Sequence, residues 1–349
     1  MNVLVTGANG HIGNHVVRAC LAAGMKPAAM VRPGSDRRAL AGLDVEIREG
    51  DIVDAASVDR AVHDVEIVFH VAAVHRNWSS DESTFMRPAV EGTRNVLDAA
   101  KRAGVRRVVC TSSGATVGFA SDPSHPLDES ATNAGGKNVY TRAKIAGEGV
   151  ALEAARERGQ DVVITNPSGV FGPRDYRLTP ATRGIIGLLQ GDPSFFALCF
   201  TDVRDVAQGH VLAATKGRSG ERYVLTGDML LPPQVCELFA KETGIRPRAM
   251  LPPKFLLRWI AGAAERRARK TGEDAAVTRD AVDDVYGRHL AYDATRARSE
   301  LGATFRPAGD VLRDAVRWVL FMDALKPKVA ARARAAMGAA AAPDPDWTR

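Results

Sequence analysis

Tyr140 and Lys144 stand four residues apart, and the triplet Thr111-Ser112-Ser113 closes an apolar run upstream of them. Spacing of four puts the phenol and the ammonium on one face of a helix. An ammonium beside a phenol stabilises the phenolate, which predicts a Tyr140 pKa moved down from about 10 toward the working pH. A tyrosine tuned in this way exchanges a proton with a substrate oxygen while hydride moves on the attached carbon. Ser113, or its neighbour Ser112, would hold that oxygen through its hydroxyl, and Lys144 would also reach the ribose of a nicotinamide cofactor. Standing alone, Y-x-x-x-K is a common pair on an exposed helix. Its weight here comes from a second motif.

That motif is T-G-A-N-G-H-I-G at residues 6–13, directly after the apolar run Val3, Leu4, Val5. A strand, a glycine turn and a helix start in that order build a pyrophosphate cradle. Gly7 serves the turn, Gly10 lets the backbone approach the phosphates, and Gly13 lets the helix pack on the sheet. The helix start offers free N–H groups and partial positive charge to the anion. Asn9, His11 and Ile12 complete this segment, with His11 expected as no more than a helix-start side chain.

These residues need a scaffold, and the rest of the chain supplies one. Apolar runs at 3–5, 28–31, 45–47, 65–71, 107–110 and 162–166 read as strands buried on both faces. Helical segments at 11–23, 36–41, 56–62, 90–103 and 140–157 alternate with them. Alternation of this kind predicts an α/β Rossmann-type doubly wound parallel sheet, with ligands at the carboxyl ends of the strands. Residues 1–168, joined by about 200–227, form the expected dinucleotide domain. Segments 169–199 and 228–326 form a smaller, mostly helical substrate lobe, and the Ala/Arg-rich stretch 327–349 reads as a flexible tail. A helix at 310–321 carries one apolar stripe and should dock.

Composition excludes several classes of function. The 349 residues are 45% apolar and 25% charged, with a net charge of +6, ordinary values for a globular protein. The positive balance mildly favours anionic ligands, but no basic run is interleaved with aromatics as nucleic-acid binding would require. Four scattered cysteines lack metal-ligand spacing and read as buried thiols in a reducing compartment. With no apolar run of about 18 residues and strand one starting at once, stable membrane insertion is not expected and a cytoplasmic location is.

The motifs together resemble the extended short-chain dehydrogenase/reductases. The likeness runs through G-D-I-V-D at 50–54, H-V-A-A at 70–73, N-P-S-G-V-F-G-P-R at 166–174 and D-V-R-D-V-A-Q-G-H at 202–210. V-R-P-G-S and N-P-S-x-x-x-G-P-R-D are most similar to the dihydroflavonol reductase-like group, which borders on 3β-hydroxysteroid dehydrogenases and hopanoid-associated sugar epimerase-like proteins. The resemblance implies that Asp51 and Ile52 flank the adenine, Val71, Ala72 and Ala73 line the middle of the cofactor, and Pro167, Ser168 and Val170 sit by the nicotinamide. Two positions depart from the pattern: Ala89 where the family usually has Asn, and Arg204 where an acidic residue is usual.

Cofactor choice turns on the end of strand two, which reads Met30-Val31-Arg32-Pro33. A carboxylate there would bind a ribose 2′-hydroxyl; Arg32 instead suits a 2′-phosphate. NADP(H) is therefore expected over NAD(H). The leading expectation is a reductase or dehydrogenase interconverting a small-molecule ketone or aldehyde and its alcohol. Phe171, Tyr176, Phe195 and Phe196 would wall its substrate, and His75, Arg76, Asn77 and Trp78 could touch it. The alternative is a nucleotide-sugar epimerase or dehydratase with tightly held NAD, using Arg174, Arg177 and Arg183 for a pyrophosphate. His70 reads as a core or edge histidine rather than a catalytic base. The apolar-then-basic stretch 255–267 reads as a lobe helix packing on the cleft, with a membrane surface as the lesser option. A homodimer is expected across the helices at 90–103 and 140–157, through Val96, Leu97, Ala99, Ala100, Ala143, Ala146, Gly147 and Val150.

Overall fold

A computed structural model describes residues 1–347 except His75 and Asn77. Seven parallel strands form the main sheet: β1 (Asn2–Thr6), β2 (Lys26–Val31), β3 (Glu46–Glu49), β4 (Ile67–His70), β5 (Arg107–Thr111), β6 (Val162–Pro167) and β9 (Arg222–Leu225). Their spatial order is β3-β2-β1-β4-β5-β6-β9. The order reverses at β1, whose neighbours are β2 and β4. A crevice opens at such a reversal beyond the strand ends, because the crossovers on either side leave in opposite directions. The glycine turn follows β1 and feeds helix His11–Ala22 into that crevice.

Two apolar layers cover the sheet. On one face, Val16, Val17 and Cys20 meet Val206, Ala207 and Val211 across the side chains of Val3, Val5 and Phe69. On the other, Val96, Leu97, Ala99, Ala100, Val150 and Ala154 cover Leu4, Val68 and Ile164. Near-continuous Val/Ile/Leu strands are what burial on both faces demands. The same burial removes most of the anticipated dimer surface: Val96, Leu97, Ala99, Ala100, Ala143 and Val150 are within 7% of full burial inside their own subunit.

A second sheet of three strands, β7 (Val170–Phe171), β8 (Leu198–Asp202) and β10 (Asp228–Leu230), sits beyond β6 in the order β10-β8-β7. Helices Pro180–Gln190, Pro232–Thr243 and Ala308–Phe321 pack around it on Phe171, Ile185, Phe200, Val235, Phe239 and Val316. The stripe anticipated at 310–321 is this contact.

Two expectations fail here. The segment expected as a helix at 36–41 is only a single tight turn, Arg38–Leu40, with the Asp36 carboxylate accepting from the Arg38 amide at its start. The carboxyl end is not a frayed tail. Pro327–Met337 is a helix whose Ala333 and Met337 join the lobe core, and Trp347 stacks edge-on against Trp318 at 5.5 Å. Its alanines suit a shallow docking face that a count of large apolar residues overlooks.

Candidate active site

Gly7 has φ +65, and a Cβ there would stand 2.7 Å from Ala72 Cα. Only glycine lets β1 turn against the chain leaving β4. A Cβ on Gly13 would collide with the Gly7 carbonyl oxygen. Gly10 caps helix His11–Ala22 with no side-chain partner, and the first turn holds no acidic residue. The helix start thus keeps its donors and its positive end for an anion. His11 is nearly buried, its Nε2 3.2 Å from the Pro173 carbonyl, and His15 reaches the same oxygen at 3.0 Å.

Asn9 crosses from this turn to the loop after β2, donating to Ser35 Oγ at 3.0 Å and to the Asp36 carbonyl at 2.8 Å. That loop presents Arg32, which is exposed. The charges around it are committed elsewhere: Arg38 clamps the Asp36 carboxylate at 2.7–3.2 Å and holds its pKa below the usual range, and Arg37 pairs with Glu49. Among the described residues, Arg32 has no carboxylate partner. Asp51 turns its carboxylate to the Val53 amide at 3.1 Å, and the Ile52 carbonyl is held by Asn95 at 2.9 Å.

Thr6 opens the glycine motif, which assigned it no role of its own. Its hydroxyl lies 3.2 Å from both the Val71 and Ala72 amides and 2.9 Å from His70 Nδ1, so it shapes the end of β4. His70 Nε2 meets Thr93 at 3.2 Å, and burial pushes the ring's pKa down to about 3. It is a neutral core histidine, as expected.

Helix Val139–Arg156 carries the tyrosine and the lysine. Asn138 caps it, accepting from the Tyr140 amide at 2.8 Å and donating to Thr278 at 3.2 Å. An Asn two residues before the helical tyrosine is a cap signal that the sequence already carried. Ser113 follows β5 and hydrogen-bonds the Tyr140 hydroxyl, while buried Ser112 turns to Thr116 at 3.4 Å. This separates the two serines, and Ser113 is the one beside the phenol. Lys144 Nζ donates to the Thr111 carbonyl at 3.1 Å. Thr111, Ser112, Tyr140 and Lys144 line a cavity at the ends of β4 and β5 together with Ala72, Ala73 and Ala89, and Ser113 meets the phenol from outside that lining.

The electrostatics differ from the sequence expectation. Burial raises the Tyr140 pKa, and only the Ser113 hydrogen bond opposes it. The Lys144 ammonium, tethered to Thr111, does not lower it. Burial instead pushes Lys144 down to about 8, opposed by the Glu148 carboxylate. Glu148 stands four residues beyond Lys144, a spacing that could have been read as a same-face pair. It is held by Thr116 and Asn166, each at 2.7 Å, and by Arg222 at 3.0 Å.

Other anticipated residues are placed differently. Phe171 is buried against Phe200 in the lobe core, whereas half-buried Tyr176 stands edge-on to Trp318 at 4.9 Å with the Arg38 guanidinium over its ring. Phe195 and Phe196 pack by helix Lys254–Thr271. Arg174 is buried and donates to the Asp346 carbonyl, away from any pyrophosphate role. Arg183 is 3.7 Å from Asp274, and Arg177 is exposed. Pro167 ends β6, Ser168 is buried and Val170 starts β7. Trp78 is tied by its amide to Asp274 at 2.8 Å, Arg76 is exposed, and His75 and Asn77 lie outside the described residues. Arg204, the second departure, pairs with Asp202 at 2.6 Å and with Asp314, linking β8 to helix Ala308–Phe321. All four cysteines are buried and free.

A model of the NAD dependent epimerase/dehydratase family matches residues 3–226. The chain belongs to that family. It is an NAD(P)-dependent enzyme of the extended short-chain dehydrogenase/reductase type, with oxidoreductases among its relatives. It is 36% identical over 329 residues to sterol demethylase protein B of Methylococcus capsulatus, covering 91% of this chain and 98% of that one. Over 323 residues it is 33% identical to a Synechocystis protein provisionally named a dihydroflavonol 4-reductase, covering 90% and 93%. Its fold matches the crystal structure of a nucleoside-diphosphate-sugar epimerase from Pseudomonas aeruginosa with a TM-score of 0.73 and 26% identity, over 93% of this chain and 99% of that one.

Proposed function

We propose that the protein is an NADP(H)-dependent reductase that interconverts a ketone or aldehyde and its alcohol. The observation that carries this reading is the hydrogen bond between the side chains of Ser113 and Tyr140, with Tyr140 and Lys144 lining the cavity at the ends of β4 and β5 and the glycine-turn helix left uncapped. The residues fit a dinucleotide: the glycine turn accepts its pyrophosphate, Val71, Ala72 and Ala73 its middle, Asp51 and Ile52 its adenine, and Pro167, Ser168 and Val170 its nicotinamide. When bound, that cofactor supplies or accepts the hydride. Ser113 holds the substrate oxygen, and Tyr140, kept protonated by its burial, donates the proton as the oxygen gains charge. Lys144 stands behind Tyr140 as a cation at neutral pH.

Arg32 supports the choice of NADP(H), since the carboxylates near it, Asp36 and Glu49, are already held by Arg38 and Arg37. The fold likeness to a sugar epimerase keeps tightly held NAD as the competing reading. Against it, Arg174 is spent on the carboxyl end of the chain. The reading includes a cytosolic enzyme assembled as a homodimer. Since the inner faces of the two helices are consumed by the subunit core, such a dimer must use outward positions such as Arg94 and Glu153.

Following NADPH absorbance over a panel of carbonyl substrates tests the proposal. Net oxidation that needs both partners is expected. Protein that purifies with NAD bound and shows no net redox change would overturn it in favour of the epimerase reading.

A further inference from the structure

The lobe helix Lys254–Thr271 has two unlike sides. Leu257, Ala261, Glu265 and Ala268 recur at helical spacing and are buried. Leu257 and Ala261 hold Val282, Phe195 and Phe196. The opposite side presents Phe255 at 75% exposure and Trp259 at 67%, flanked by exposed Leu256 and Ile260 and preceded by Met250 and Leu251, each half exposed. An apolar group of this size is rarely left to water without a partner. Further along, the same outward side turns basic with Arg266, Arg267 and Lys270, and Arg269 stands at its edge.

The charges around the patch divide sharply. The acidic groups are spent: Glu265 is buried and bound by Arg279 at 2.8 Å, and Asp283 is held by Lys254 at 3.0 Å and by Arg258. Glu273 faces Arg267 at 3.5 Å. Among the described residues, Arg266, Arg269 and Lys270 have no acidic partner.

We propose that this surface docks the protein reversibly on an anionic lipid bilayer. Phe255, Leu256, Trp259 and Ile260 enter the boundary between headgroups and acyl chains, where an aromatic with a polar edge is favoured. Arg266, Arg269 and Lys270 meet the lipid phosphates, with their methylene stems lying along the interface. A second copy is the poorer occupant, because it would cover the apolar patch but supply no counter-charge to Arg266, Arg269 and Lys270. The surface is also tied to the site. Asp274, just past the helix, holds the Trp78 amide at 2.8 Å, and Asp284 holds the Lys137 and Asn138 amides at 2.8 and 3.0 Å, where Asn138 caps the helix of Tyr140. Docking therefore bears on segments that are fastened to the loop after β4 and to the cap of the Tyr140 helix. Binding itself does not depend on the chemistry at Tyr140.

The test is flotation of the full chain, without substrate, on vesicles of phosphatidylcholine alone and of phosphatidylcholine mixed with phosphatidylglycerol. Binding to the anionic vesicles should be roughly tenfold or more the tighter, and salt should weaken it. Phe255→Ser with Trp259→Ser, and separately Arg266→Glu with Arg269→Glu and Lys270→Glu, should each lose about tenfold in binding with the melting temperature unchanged. Trp259 emission, taken as parent minus Trp259→Phe, should move to the blue on anionic vesicles. Absence of parent binding to either vesicle would overturn the proposal, as would variants that bind like the parent. A mass that drops on light scattering when Phe255 and Trp259 are replaced would assign the surface to a second copy instead.

Discussion

At the scale of single residues, Tyr140, Ser113 and Lys144 have separable duties. Tyr140→Phe removes one hydroxyl and should lower kcat by about 10²–10⁴-fold, with cofactor affinity and melting temperature kept. Ser113→Ala should follow it, and Ser112→Ala should be milder, since Ser112 faces Thr116 and not the phenol. A steady-state comparison of the four enzymes checks this, and a Tyr140→Phe enzyme near the parent rate would refute the assignment. Lys144 sets the pH dependence. Its pKa is pushed down to about 8, whereas burial keeps Tyr140 protonated well above neutrality. In the reductive direction kcat/KM should therefore fall as pH rises through about 8, when the cation beside Tyr140 is lost. Arg32→Ala should weaken NADPH by about 1.5–3 kcal/mol and leave NADH almost untouched, as read by fluorescence titration.

Elements place these residues by caps and buried neutral groups. Asn138→Ala removes the cap of the Tyr140 helix and should cost about 1 kcal/mol, measured by denaturant unfolding, with a further loss of rate as Tyr140 loosens. Beneath the site, His210 ties β5, β6 and helix Val203–Lys216 together through Thr111 at 2.8 Å, Thr165 at 3.0 Å and the Val206 carbonyl at 2.7 Å. Burial moves His210 down to about 4 and His70 down to about 3. Below about pH 6.5 the unfolded chain binds protons that the folded chain refuses. Stability should therefore fall from about pH 6.5 toward 4, and a melting temperature that stays flat over that window would count against these buried rings. Lys144 acts in the same sense at the alkaline end: between about 8 and its unfolded value, stability rises with pH.

For the whole molecule, the carboxyl end closes the lobe. Met337 and Ala333 fill the space beside Val319 and Leu320, and Trp347 covers Trp318. Met337→Ala should cost about 2–5 kcal/mol, visible as a lower denaturation midpoint. A surface tail would show almost no change. The Arg204 bridges to Asp202 and Asp314 belong to this scale too, since they fasten the lobe to the end of β8.

Local chemistry was legible without a structure wherever the physics is local. The alternation of buried runs and helices defines the doubly wound sheet, because each strand's hydrophobicity reports its own burial. The glycine turn, the Tyr140–Lys144 spacing and the open end of strand two were legible for the same reason, as each depends on neighbours in the chain. The identity of the serine beside Tyr140 and the inward fate of Phe171 and Arg174 were decided only by tertiary contacts between distant segments. The direction of the Tyr140 pKa belongs with them. Residue spacing supplies a nearby cation, but burial, which no spacing reveals, outweighs it and turns that cation toward the Thr111 carbonyl.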